Sequence, residues 1–269
     1  GTRWALTEPT YTVTWVSGRP AVFNVVNSTI TGASTNFSSI TANENVTVTA
    51  SGTLGTGGTV ASISVASGKT FNMGGQALST AAGTGFIKNG AGTYVVTTGA
   101  SFTGGFSLNS GTMIVGGVNS MGAGGALTIN GGVLSANSST ARDFTGKFTS
   151  GITIGGDFQI GELNSNNSNA GDGNLIFSNN TALGSSTTRI ITIGGNGTYT
   201  LGGIISGASS NLTINANSGA TGTLLLSGSN TYTGGTTING GILSVSSINN
   251  GGSASNLGQS TSAAGNLVL

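Results

Sequence analysis

The sequence predicts an all-β protein, a right-handed parallel β-helix with an N-terminal cap, on three observations. The chain repeats itself: residues 92–115 align without a gap with residues 222–245. Apolar residues come in clusters of three to five that alternate with polar ones, the period of strands. Gly accounts for 50 of 269 residues and Pro for only 2, which supplies turns but leaves no sustained helical stripe.

The repeat preserves side-chain class as well as spacing. Gly92-Thr93-Tyr94-Val95-Val96 matches Gly222-Thr223-Leu224-Leu225-Leu226. Phe102-Thr103-Gly104-Gly105 matches Tyr232-Thr233-Gly234-Gly235, and Gly111-Thr112-Met113-Ile114-Val115 matches Gly241-Ile242-Leu243-Ser244-Val245. Weaker copies occupy 60–65, 126–135 and 211–215, the first followed by the turn Ser67-Gly68-Lys69 and by Phe71. Each unit reads as strand, tight turn, strand, with Gly supplying φ > 0 in Asn-Gly, Gly-Gly and Ser-Gly turns. Strands around Leu225, Ile238 and Leu243 fall within about 22 residues, and a solenoid coil of about 20 residues accommodates three such strands. Stacked at roughly 4.8 Å, successive coils pair each other's backbone and place like side chains in register. Asn109, Asn130, Asn215 and Asn239 then form ladders at coil corners. A sandwich of hairpins gains nothing from such repetition.

Residues 1–26 differ in composition. They hold both Trp residues, Trp4 and Trp15, and both Pro residues, Pro9 and Pro20, and Tyr11–Val16 alternates as an antiparallel strand does. They are read as a cap, because the open end of a solenoid is a row of unpaired edges. Residues 27–269 are read as one continuous solenoid. A new strand begins at Leu267-Val268-Leu269, so the solenoid is expected to continue beyond 269 or to stack on another copy.

Composition excludes several classes. Charged residues are 5%, against roughly a quarter in an ordinary domain, yet 36% hydrophobic residues are enough for a core, unlike a disordered chain. Collagen is excluded by the missing three-residue Gly period. No apolar run is long enough for a membrane-spanning helix, and the N-terminus shows no basic start with an apolar stretch. A net charge of +1 leaves no basic face for nucleic acid.

The segment 203–243, with Gly203-Ile204-Ile205-Ser206-Gly207, Leu212-Thr213 and the continuous run from Gly222 to Leu243, closely resembles the autotransporter-associated β-strand repeat, also called the passenger-associated transport repeat. Lys88-Asn89-Gly90-Ala91-Gly92-Thr93 is similar to the lead-in of another copy. The resemblance covers 86–115 and 200–245 well. It implies an extracellular β-helical passenger, secreted or at a bacterial cell surface. No C-terminal barrel is present, which leaves the export route open.

Chemistry is sparse. Without His or Cys, Ser-His-Asp and Cys-His nucleophiles and most zinc sites are absent. The six carboxylates are Glu8, Glu44, Asp143, Asp157, Glu162 and Asp172. The four between Asp143 and Asp172 would suit a carboxylate pair acting on a polysaccharide or a Ca²⁺ site, but polar loops account for them more simply. Gly122-Ala123-Gly124-Gly125 and Gly194-Gly195-Asn196-Gly197 lack the Lys-Ser/Thr of a phosphate loop. The Trp and Phe residues are assigned to cap and core in preference to sugar stacking. Lys69, Lys88 and Arg189 are assigned to solvated corners. No catalytic, cofactor or metal site is expected. The expected role is a structural module for stalk, display or adhesion. The alternatives are a self-assembling filament or sheet subunit and a polysaccharide-active enzyme. Expected partners are further repeats, other copies of the chain or surface glycans.

Overall fold

The computed structural model describes residues 18–25, 27–30, 35–49, 53–56, 61–74, 77–80, 83–97, 99–100, 102–122, 124–163 and 173–269. Their regular elements are β-strands, apart from a three-residue 3-10 turn at Ala264–Asn266. The chain divides into two compact units, 1–125 and 126–269.

In the first unit, Arg19–Phe23, Thr35–Ala42, Ala61–Val65, Phe86–Asn89 and Phe106–Leu108 stack side by side, all in parallel. A second parallel stack runs through Ser28–Ile30, Val46–Val48, Thr70–Met73, Thr93–Val96 and Thr112–Val115. Thr53–Thr56 joins the first stack through the start of Thr35–Ala42 and pairs in turn with Ala77–Thr80, and the bridge from Leu78 to Ala100 extends this arm. The strands alternate as the sequence does: in Ala61-Ser62-Ile63-Ser64-Val65 the apolar residues are fully inside and the serines face out. Stacking makes vertical columns of like residues. Val46, Phe71, Tyr94 and Met113 lie in one register column, with the Phe71 and Tyr94 rings 6.0 Å apart.

The second unit is a three-sided solenoid. One side is Leu127–Ile129, Ile152–Ile154, Thr181–Ala182 and Ile205–Ser206. The next runs from Val133–Ala136 through Phe158–Ile160, Thr188–Ile193, Asn211–Ala216 and Thr236–Ile238 to Leu267–Val268. The third is Arg142–Asp143, Leu175–Phe177, Thr198–Leu201, Thr223–Leu226 and Ile242–Val245. Every one of these ladders is parallel. Leu175, Tyr199, Leu224 and Leu243 form one of its columns. Each fully buried aliphatic side chain in such a column contributes about 2 kcal/mol relative to exposure.

The predicted parallel β-solenoid is therefore the observed fold. All ten phenylalanines are in the core, as the sequence suggested. Coil length departs from the expected 20 residues. Met113 follows its partner Tyr94 by 19 residues, whereas Leu175 follows Arg142 by 33. Parallel stacking fixes the strands and leaves corner loops free to lengthen, so the register holds while the period varies. The residues of the expected cap lie largely outside the described ones, including Trp4, Trp15 and Tyr11–Val16. Of that stretch, Arg19–Phe23 pairs in parallel with Phe37–Ala42 like the strands after it, and the register shifts between Arg19 and Ala21. Pro20 sits at that shift, having no N–H to give the ladder.

Candidate functional site

The elements that carry the sequence signature are the two repeat coils, one in each unit, and both are built the same way. In the first unit Thr93–Val96 leads through Phe102 to Phe106–Leu108 and then to Thr112–Val115. In the second, Thr223–Leu226 leads through Tyr232 to Thr236–Ile238 and then to Ile242–Val245. In each, the last strand lies in parallel beside the first, 19 residues on: Thr93 pairs with Thr112 and Thr223 with Ile242. The repeat is thus one complete coil together with the strand that opens the next.

Its conserved-looking classes have physical reasons. The aromatic fills the coil between first and second strands. Phe102 is wholly buried, 5.7 Å from the Phe86 ring and 6.2 Å from Phe106. Tyr232 is equally buried and shares a 2.7 Å hydrogen bond between its hydroxyl and that of buried Thr236. The glycines mark where one coil rests on the backbone of the one before. A Cβ on Gly104 would stand 2.3 Å from the Gly83 carbonyl oxygen, and one on Gly234 2.4 Å from that of Ser210. Gly111 and Gly241 both turn the corner at positive φ, +71° and +82°. At the corners, Asn109 donates its amide to Asn89 at 2.8 Å, and Asn239 donates to Asn215 at 3.0 Å. These are the ladders expected at Asn109, Asn215 and Asn239.

The charged residues are placed differently from expectation. Lys88 is not a solvated corner residue: it is 0% exposed. Its ammonium donates to the carbonyls of Asn89 at 2.8 Å, Gly90 at 2.8 Å and Ser110 at 3.1 Å. Two successive corners turn their carbonyls toward one point, and the lysine stem reaches back along the apolar interior to fill it. Burial lowers its pKa to about 8. Lys69 is half-buried and ion-paired with Glu44, and Arg189 donates Nε to the Ile154 carbonyl at 2.8 Å. Arg142, which sequence reasoning missed, is buried at the strand position paired with Leu175. Its guanidinium donates to the Thr140 carbonyl, Asn137 Oδ1 and Ser138 Oγ at 2.7–2.9 Å, and burial lowers its pKa.

Among the described residues no group of three His, Cys, Asp or Glu side chains that could hold a metal ion comes together. Each carboxylate has its own setting. Asp143 accepts the Thr145 N–H, and its hydrogen bonds with Thr145 hold its carboxyl below the usual range. Asp157 accepts the Ile190 N–H from the next coil at 2.9 Å. Glu162 is half-buried, and burial raises its pKa. Glu8 and Asp172 lie outside the described residues.

Lys88→Met keeps the stem but leaves three carbonyls turned inward without a donor, and is expected to lower stability by about 2 kcal/mol in denaturant titrations. The pH profile carries a sign. Between about pH 8 and 10.5 the unfolded chain still binds the Lys88 proton and the folded chain does not, so stability rises with pH. Burial raises the pKa of Tyr94 and that of Tyr232, the latter to about 12. Above pH 10 the unfolded chain loses these protons first, and stability falls. The denaturation midpoint should therefore peak near pH 10, and in Lys88→Met the rise up to that peak should vanish.

Fold and coils together define a repeat-built parallel β-solenoid. The family model described as the passenger-associated-transport-repeat matches residues 86–115 and 221–245, the two coils just described. No curated protein and no solved structure matches the chain. The chain thus carries two stretches that match this repeat, each folded as a coil of a parallel β-solenoid. No helix among the described residues is long and apolar enough to cross a membrane.

Proposed function

We propose that this chain is a structural module of a secreted or cell-surface protein, a stiff β-helical segment that extends or displays what is attached to it and does no chemistry of its own. The observation that carries this reading is the pair of transport-repeat coils with the same 19-residue register and the same backbone-on-backbone glycine contacts. The described charged side chains support it, since several are engaged in holding corners: Lys88, Arg142, Arg189 and Asp157 bind backbone groups. Its natural neighbours are further repeats, with surface glycans as the contact in an adhesive role. Antibodies raised against the purified chain should label intact source cells or their culture medium. Labelling only after the cells are permeabilised would refute an exported role.

A second reading, a subunit that self-assembles into a filament or sheet, is favoured by one surface. The edge strand Ile242–Val245 exposes Ile242, Ile248 is exposed just after it, and the edge strand of another sheet exposes Leu267 and Val268. No charged side chain follows Arg189, and charge is what ordinarily keeps such edges apart. Sedimentation over a concentration series distinguishes the readings: growth of large species supports assembly, and a constant small species supports the single module.

A further inference from the structure

The chain contains five Asn-Gly steps, at Asn89, Asn130, Asn196, Asn239 and Asn250. Such steps are chemically labile because glycine has no Cβ to shield its backbone nitrogen from the preceding side-chain amide, and asparagine is among the thermolabile residues. The fold treats the five unequally. Asn89 accepts the Asn109 amide at 2.8 Å. Asn130 is packed under the next coil, where a Cβ on Gly155 would stand 2.2 Å from its Oδ1. Asn196 accepts both the N–H and the hydroxyl of Thr221 at 2.9 Å, and the Gly197 N–H is itself donated to the Tyr199 hydroxyl. Asn239 donates to Asn215 at 3.0 Å.

Asn250 differs in its side chain. It and Gly251 lie in an exposed turn, and among the described residues neither the Asn250 side-chain amide nor the Gly251 N–H has a hydrogen-bond partner. The neighbours of this pair are committed elsewhere: Gly252 donates to Ser260 and the Asn249 amide to Ala254. The backbone of the pair is also placed, since the Asn250 carbonyl accepts the Ser253 N–H and a Cβ on Gly251 would stand 2.2 Å from the Ser262 nitrogen, but the Asn250 side-chain amide and the Gly251 N–H stay exposed and undonated.

We propose that Asn250-Gly251 is a self-modification site at which the folded protein acquires a carboxylate. The Gly251 nitrogen, after losing its proton to solvent base, attacks Asn250 Cγ. The Cγ–Nδ2 bond breaks, ammonia leaves, and a five-membered succinimide closes. Water adds to either ring carbonyl and opens the ring to aspartate or to its β-linked isomer, so one water enters for each ammonia released. The new carboxylate is the sole charged side chain in residues 190–269, a span that includes the exposed edge strand Ile242–Val245. Charge there opposes edge-to-edge pairing. The inference depends on neither functional reading.

The test incubates the intact protein at mildly alkaline pH and physiological temperature, then locates the amide-to-acid mass change and any β-linked isomer by peptide mapping. The expected result is conversion at Asn250 about tenfold or more faster than at the other four, a difference that corresponds to about 1.4 kcal/mol in barrier. In denaturant all five should convert at comparable rates, which assigns the protection to the fold. Asn250→Gln should remove the acidic shift on isoelectric focusing while leaving the fold intact. Uniform conversion of the folded protein, faster conversion at Asn239 than at Asn250, or an Asn250 that is stable when folded and labile when unfolded would each overturn the proposal.

Discussion

Gly104→Ala and Gly234→Ala should each destabilise their own unit by about 3 kcal/mol. At Gly104 the added carbon meets backbone atoms of residues 83–85, the nearest at 2.3 Å, and at Gly234 it meets the backbone of Ser210 at 2.4 Å. Backbone held in a parallel ladder cannot step aside as a flexible side chain can, so the coils must separate locally or the ladder must break. Gly265→Ala is the matched control. It has open space around the new carbon and no positive φ, and should stay within about 0.5 kcal/mol of the parent. Hydrogen exchange localises the damage. Because a solenoid is stabilised through nearest neighbours, amides of Phe86–Asn89 and Phe106–Leu108 should lose protection in Gly104→Ala, while Thr198–Leu201 should not. Equal loss in all three variants would mean that close coil contact is not what these glycines provide.

Removal of the coil aromatics is the second large effect. Phe102→Ala and Tyr232→Ala should each cost about 4 kcal/mol, the usual penalty for emptying a fully buried aromatic site. Phe102 closes a stack with Phe86 and Phe106, whose rings are 6.0 Å apart, so its loss leaves a void lined by two other rings. Tyr232→Phe separates packing from hydrogen bonding. It keeps the ring, leaves the Thr236 hydroxyl without its 2.7 Å partner, and should cost about 1 kcal/mol. Denaturant midpoints at unchanged slope measure all three. If Tyr232→Phe proved as damaging as Tyr232→Ala, the tyrosine would act chiefly through its hydroxyl rather than by filling the coil.

The parts of the fold that repeat were legible in the sequence, because stacking converts a pattern along the chain into a column in space. The pairing of Phe102 with Tyr232 and of Gly104 with Gly234 could be read directly, since each pair takes the same place in its coil, the aromatics buried between first and second strands and the glycines against the backbone of the coil before. The Asn corners were legible for the same reason. What escaped was set by contacts between corners of different coils. Lys88 precedes an Asn-Gly turn, where a charged side chain is ordinarily solvated. Its cage exists only because the Ser110 carbonyl, 22 residues later, arrives beside those of Asn89 and Gly90. The corresponding position in the second unit is Ser218, so the repeat itself carried no lysine signal. Arg142 was invisible likewise: its inward placement follows from a register partner 33 residues on, across a coil lengthened by the polar stretch around residue 168. Asp157 read as a loop acid because the N–H it accepts belongs to Ile190 in the next coil.

The solenoid requires neighbouring strands to run in the same direction, one coil above the next. Spin labels placed in two pairs on adjacent strands test this directly, one pair at Thr188 and Asn211 and the other at Thr192 and Asn215. Both pairs are in register at opposite ends of Thr188–Ile193 and Asn211–Ala216. Parallel coils require the two pairs to give equally short separations, with backbones about 5 Å apart. One short and one long separation would mean that the strands run in opposite directions, and would contradict the solenoid.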